Sequence, residues 1–405
     1  MRTERQPCCP APTSASADRG FSLVEALVAA ALALAVIAML LGAAAQAQQG
    51  AIVQPEAADL EQRLRTGLAT LAADIGRAGA GTSIGCAPGP LHRYVAPIRP
   101  YRVGLRSPQP PGTFDPSAIS VLSAPDGARV AVLAQPLGSA VAVAAISPTN
   151  GSYAAHPTLG FEEGMSVAII SDGPVVNVFH VTAVGPGVLG LELMAPSLDG
   201  GHAAGACVVE VEARSYRLSP DAETGAFSLS RYDGFMSELP VVDHVVGLTF
   251  EYHGEPRPAR LTRSVEEPAG PWTTYGPKPP PIGYDNPLDT WPAGESCLFA
   301  AGDPLQVPRL PALGDAAGGL VPLAGTVFSD GPWCADGGRP GAFDADLFRI
   351  RRVVLTLRVE APSTFLRGSL GSLFARSGSA TGGSWFVPDR AVTVDMAPRN
   401  MGVDR

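Results

Sequence analysis
Residues 20–45 read GFSLVEALVAAALALAVIAMLLGAAA, and the interpretation of the whole chain turns on this stretch. A short polar leader ends at Gly20. From residue 26 to residue 45 no side chain is charged or strongly polar, and Ala and Leu, both strong helix formers, dominate. Twenty residues of helix rise about 30 Å, the thickness of a bilayer's hydrocarbon core, so a membrane-spanning helix is expected. A secretory signal peptide is the rival reading, because Ala43-Ala44-Ala45 before Gln46-Ala47 passes for a cleavage site. Two features oppose it: the run is too long for an h-region, and a carboxylate, Glu25, sits in its first turns. A carboxylate near a membrane core is costly and usually marks a specific partner. The alternative is that Glu25 lies at the interface and stays solvated.

The hexapeptide Gly20-Phe21-Ser22-Leu23-Val24-Glu25 resembles the prepilin peptidase site of type IV pilins and type II secretion pseudopilins. The resemblance implies a cut between Gly20 and Phe21 on the cytoplasmic side and N-methylation of Phe21. It also implies that Glu25, fifth in the processed chain, pairs with the N-terminal amine of a neighbouring subunit. A buried carboxylate and a buried ammonium are each costly alone and satisfy one another in one register only.

The 405 residues suffice for two ordinary domains or one large one with insertions. The formal net charge is −9, and the leader carries Arg2, Arg5 and Arg19 against Glu4 and Asp18, so a processed chain is slightly more acidic. An acidic chain is a poor general binder of nucleic acid, which is not expected as a partner. Cys8 and Cys9 fall in the leader, where no apolar stretch precedes them as a lipoprotein site requires. Cys86, Cys207, Cys297 and Cys334 would lie outside the cytoplasm, where disulfides persist. Four cysteines allow three pairings. Cys297–Cys334 is favoured because both sit in one irregular segment, and Cys86–Cys207 by elimination. Loops of such length stabilise by roughly 3–4 kcal/mol when closed. A zinc site is the alternative, but no C-x-x-C pair exists.

Residues 46–54 are a polar exit, with Gly50 and Pro55 weakening the helix there. A second helical stretch follows. Leu60, Leu64, Leu68, Leu71, Ile75 and Ala78 recur at three- and four-residue spacing and make one apolar stripe, while Asp59/Arg63 and Glu61/Arg65 are i,i+4 pairs on the polar face. Gly79-Ala80-Gly81 ends it. The stretch 59–81 resembles the corresponding part of PilW-type minor pilins and J-type minor pseudopilins. Beyond Gly85, short β-branched runs alternate with Gly/Pro turns. Strands are expected at 119–123, 130–133, 141–146, 167–171, 175–184, 189–194, 208–218, 227–232, 241–252, 348–360 and 392–395. Alternation at 208–212 and 355–359 predicts a sheet with one wet face. Residues 254–346 interrupt the pattern as a Pro/Gly-rich insertion carrying Trp272, Trp291, Trp333 and two cysteines, read as ordered and stapled. Residues 377–384 read as a surface loop. The resemblance covers 20–79 closely and 160–250 and 347–400 in patches, and is absent from the insertion.

The expected organisation is therefore a leader at 1–20, a transmembrane and polymerisation helix at 21–45, its amphipathic continuation at 46–81, and a β-rich head at 82–405. The fold class is α+β: a long N-terminal helix packed on an antiparallel β-sheet head, which the resemblance makes pilin-like.

No pattern of catalysis stands out. Gly81-Thr82-Ser83-Ile84-Gly85 matches G-x-S-x-G, but the order is helix then loop, whereas a nucleophile elbow needs strand then helix. Gly185-Pro186-Gly187-Val188-Leu189-Gly190 matches G-x-G-x-x-G but leads into a strand, so it reads as a hairpin turn. Asp344/Asp346 and Asp285/Asp289 are read as surface-loop aspartates, with a cation site as the alternative. His92, His156, His180, His202, His244 and His253 are scattered and form no close ligand pair. The expectation is a non-enzyme without cofactor or metal.

The resemblance implies a structural minor pilin that helps initiate or cap pilus assembly. Its partners would be the prepilin peptidase, other minor pilins, the major pilin and the inner membrane. It would cross the inner membrane once with a periplasmic head and enter a pilus or pseudopilus on assembly. The alternatives are a type II secretion minor pseudopilin, a pilus-tip adhesin using 254–346, and an anchored periplasmic enzyme.

Overall fold
The computed structural model describes residues 21–81, 91–93, 95–110, 112–138, 142–149, 155–171, 176–194, 201–221, 225–257, 299–300, 307–314, 319–334, 343–363, 366 and 387–401. The chain is α+β: one long N-terminal helix, α1 (Leu23–Arg77), followed by a large antiparallel β-structure. It divides into two compact units, Met1–Pro55 and Glu56–Arg405. Helical geometry continues through Gly50 and Pro55, where weakening was expected. Within the first unit α1 is long and apolar enough to cross a membrane, with a mean hydropathy of 2.7 over its most apolar window. Leu27, Leu32, Leu34, Met39 and Leu41 are all exposed to solvent in the isolated chain.

The second unit holds the rest of α1 and the strands. In chain order these are β1 (Ile98–Arg99), β2 (Ile119–Ser123), β3 (Val130–Leu133), β4 (Val143–Pro148), β5 (Ser166–Ile170), β6 (Val176–Gly185), β7 (Val188–Leu193), β8 (Cys207–Pro220) and β9 (Phe227–Tyr232). They continue as β10 (Glu238–Val242), β11 (Val245–Gly254), β12 (Phe299–Ala300), β13 (Val307–Pro308), β14 (Val321–Leu323), β15 (Trp333–Cys334), β16 (Phe343–Asp344), β17 (Ile350–Val359) and β18 (Arg390–Met396). All pairings among them are antiparallel.

β8 organises this unit. Its first residues pair on one edge with β3 (Val132↔Cys207) and on the other with β5 (Ile170↔Cys207). From there β3 pairs β4, β4 pairs β7, β7 pairs β6 and β6 pairs β5, so these strands with β8 close a six-stranded barrel. Val167, Ile169, Phe179, Val181, Leu189, Leu191 and Val208 fill it. Closure removes edge strands that would otherwise stay unpaired. Further along, β8 pairs β2 (Tyr216↔Ile119) and β9 (Ser215↔Tyr232), giving an open sheet ordered β1-β2-β8-β9-β10. A second sheet is ordered β14-β11-β17-β18.

Three expectations are corrected. First, the head is not one sheet with a wet face. Residues 208–211 are buried without a break, because barrel membership leaves neither face of β8 in water there. Glu210, expected on a wet face, is buried and holds Arg129 through both carboxylate oxygens at 3.1 and 3.0 Å. Second, the expected strand 241–252 is two strands. His244 at φ 51° ends β10 and lets the chain pass into the other sheet. Third, the helical stripe centres on Gly67 rather than Leu68. Leu60, Leu64, Gly67, Leu71 and Ile75 are buried, and Leu68 is half-buried.

The reason is proximity. A Cβ on Gly67 would lie 2.9 Å from both Leu357 Cδ2 of β17 and Val242 Cγ2 of β10. Seven residues on, Asp74 is buried and accepts two hydrogen bonds from Arg214 of β8, at 2.9 and 3.1 Å, and one from the Tyr216 hydroxyl. The helix stops where Gly79 adopts φ 75°, and its N–H donates to Leu122 O at 3.0 Å. Of the two expected i,i+4 pairs, Asp59–Arg63 closes at 2.8 Å, whereas Glu61 reaches across to Arg390 at 3.8 Å.

Parts of the 254–346 insertion are built into the head. β14 extends the second sheet beside β11. Phe328 stacks on Phe114 at 6.1 Å and meets the Tyr252 edge at 5.7 Å. Trp333 is half-buried, its ring 2.6 Å from where a Cβ on Gly112 would lie. Trp272 and Trp291 lie outside the described residues.

Gly67 and Gly76 make a paired test. A Cβ on Gly76 meets nothing within 4 Å. Gly76→Ala should stabilise the head by about 0.5–1 kcal/mol through helix propensity alone. At Gly67 overpacking of about 1–3 kcal/mol offsets that gain, so Gly67→Ala should be neutral to destabilising and Gly67→Leu strongly destabilising. Urea midpoints of the three variants check this.

Candidate functional site
The helix start is built from three residues. Phe21 is 88% exposed and precedes the helix. Ser22 is its N-cap: the Glu25 N–H donates to Ser22 Oγ at 3.2 Å, and the Ser22 N–H donates to Glu25 Oε2 at 3.0 Å. This reciprocal arrangement is a capping box, which satisfies two of the helix's orphan N–H groups. Its signature, Ser-x-x-Glu before an apolar run, is legible in residues 22–25. Glu25 therefore has a local structural role beside any intermolecular one. It is also the only ionisable side chain between Phe21 and Pro55. One of its oxygens takes the Ser22 bond, and a carboxylate has about four acceptor sites, so capacity remains. Gly20 lies outside the described residues.

The other candidates divide. Cys207 and Cys334 are each disulfide-bonded; their expected partners, Cys86 and Cys297, lie outside the described residues, as do Ser83, Asp285 and Asp289. Gly185–Gly190 makes the β6–β7 hairpin, with Gly187 at φ 66° in its turn, as a phosphate loop would not.

Asp344 and Asp346 are not surface-loop aspartates: they are 1% and 2% exposed. Asp344 caps a short 3-10 turn over 345–349, accepting from Asp346 N at 2.8 Å and Gly331 N at 2.7 Å. Asp346 accepts from Arg349 Nε. Arg349, fully buried, also donates to Pro256 O at 3.0 Å and Pro311 O at 2.5 Å. Asp330 brings a third carboxylate within 4.8 Å of these two. Two of the three are committed to the hydrogen bonds that fold this corner, and burial with an internal Arg partner accounts for them without a cation.

Two arrangements escaped sequence reasoning because their members are far apart in the chain. One is Asp330 with Asp344/Asp346. The other joins Ser171, Asn177 and His202, with His202 Nδ1 2.5 Å from Ser171 Oγ and Nε2 3.0 Å from Asn177 Nδ2. No family model matches this chain, and no curated protein or solved structure matches it.

Asp346 supports a pH prediction. Burial pushes its carboxyl up to about 7 from 3.8, with Arg349 pulling the other way and Asp344 adding to the rise. The folded state thus holds this proton more tightly than the unfolded chain does. Its contribution to stability is complete below about pH 4 and is lost as pH rises through about 7. The slope is at most about 1.4 kcal/mol per pH unit. Asp346→Asn should remove this component from the stability profile between pH 5 and 8, read by thermal unfolding of the full chain in detergent.

Proposed function
We propose that this chain is a structural, non-catalytic minor type IV pilin, cut after Gly20 by a prepilin peptidase and N-methylated at Phe21. The proposal is carried by one observation: a bilayer-length apolar stretch of α1, within residues 21–45, whose sole ionisable side chain, Glu25, sits at its very start. In this reading residues 21–45 anchor the subunit in the inner membrane with the head in the periplasm. The helix then leaves the lipid and packs against neighbouring subunits. Glu25 accepts a neighbour's N-terminal ammonium, and the pair is neutral in an apolar surround only when the two helices are in register. The head, with its barrel and insertion, is large for a subunit packed along a filament wall, which suits a place at the tip during initiation.

The capping box makes the test sharper than alanine substitution alone. Gln serves a capping box as well as Glu does, so Glu25→Gln keeps the helix start and removes the charge. Glu25→Gln should insert in the membrane normally yet lose about tenfold or more in co-purification with other pilin subunits, a coupling of about 1.4 kcal/mol or more. Wild-type co-purification by Glu25→Gln, with Ser22→Ala matching Glu25→Ala, would reduce Glu25 to a helix cap and sink the proposal. N-terminal sequencing of the processed protein reports the cut: a chain beginning at Phe21 is expected, and one beginning after Ala45 would mean a signal peptide.

A further inference from the structure
One ring ties together the mouth of the barrel. His202 is 1% exposed and lies in the segment that leads into β8. Its backbone exchanges two hydrogen bonds with Leu137, each 2.8 Å, tying it to the chain just beyond β3. Its Nδ1 meets Ser171 at the end of β5, and its Nε2 meets Asn177 at the start of β6. The ring also stands edge-on to Phe179 of the barrel core, centroids 6.3 Å apart. With the Asn177 amide nitrogen donating, Nε2 is the bare nitrogen and Nδ1–H donates to Ser171 Oγ. The imidazole is neutral and both of its nitrogens are used.

We propose that His202 is an acid-sensitive latch: protonating its ring releases the Leu137–His202 bridge and opens the barrel mouth, while the second sheet stays folded. The groups facing the ring are Ser171 from β5, Asn177 and Phe179 from β6, and Leu137 beyond β3. None of these is titratable or charged, so among the described residues no carboxylate faces the imidazolium. Protonation places an N–H against the Asn177 amide nitrogen. Turning that amide over restores one hydrogen bond but supplies no counter-charge, and the buried cation remains costly. Release is local because the bonds that His202 makes all lie on the barrel. The sheet β14-β11-β17-β18 has its own ladder, from Val245↔Val359 to Tyr252↔Val353.

The sign follows from burial, which pulls the His202 ring down from 6.5 to about 4. A folded value below the unfolded one means that the closed mouth is fully stabilised above about pH 6.5 and loses that stabilisation as pH falls through 4. The closing equilibrium should weaken roughly 100-fold at pH 4.5 and roughly 300-fold below pH 4.

Amide hydrogen exchange on the full chain in detergent, corrected for intrinsic rates, reads the two parts separately. Between pH 7 and 4.5, the amides of Leu137, His202 and Cys207–Val211 should lose protection by up to roughly 100-fold. Those of Val245–Gly254 and Ile350–Val359 should keep it. Asn177→Asp places a carboxylate against the ring and should hold the mouth closed at pH 4.5, and His202→Gln should make its protection independent of pH. Unchanged barrel protection in the wild type at pH 4.5, simultaneous loss in both parts, or opening of Asn177→Asp at the wild-type pH would each overturn the latch. The Asn177→Asp result decides even where His202→Gln fails to fold the barrel.

Discussion

A helix that carries Leu60, Leu64, Leu71 and Ile75 along one line must have that line covered, and the second unit is arranged around doing so. Each of these side chains is fully buried or nearly so, and burial of one is worth about 1.5–3 kcal/mol. Gly67, in the middle of the line, lets the helix backbone come within van der Waals reach of β17 and β10 together. One helix thus covers strands from both sheets. Asp74 then fixes axial position, because a buried carboxylate must find its partners, and Arg214 and Tyr216 offer them at one setting of helix against β8.

β8 passes that constraint outward. Its later residues, bearing Arg214 and Tyr216, lie under the helix; its earlier residues close the barrel. The Glu210–Arg129 bond lies on those earlier residues of β8, and the His202 network lies just before them. The head therefore combines a part packed directly on the helix with a barrel that shares β8 with it and meets the β9–β10 turn where His180 stacks on Phe235. That division is the physical basis for expecting the barrel mouth to open without loss of the second sheet.

The helix start follows a different logic. Ser22 and Glu25 satisfy each other's backbone N–H groups, so Glu25 has a role even in an isolated chain. A carboxylate kept at the head of an otherwise uncharged apolar helix is still an expensive choice for a cap, since Gln would serve. That excess of charge over structural need is what the proposed function would assign to an intermolecular partner.

Much of the first unit was legible because its signals are local. Apolar composition and a single acid depend on neighbours within a few residues, and in the second unit periodicity marked the buried stripe of α1 to within one position; the Ser-x-x-Glu box was equally local but went unread. Most strands were visible for the same reason. The two sheets, the closed barrel, the burial of Asp344 and Asp346 and the meeting of Ser171, Asn177 and His202 were decided only by tertiary structure. Each depends on residues from separate segments of the chain, and β-pairing follows no pattern in either strand alone. A strand's alternation reports which residues differ in environment, and Val208–Val211 shows the limit: once the barrel closes, both faces are dry and the charged residue that looked wet is buried with its partner.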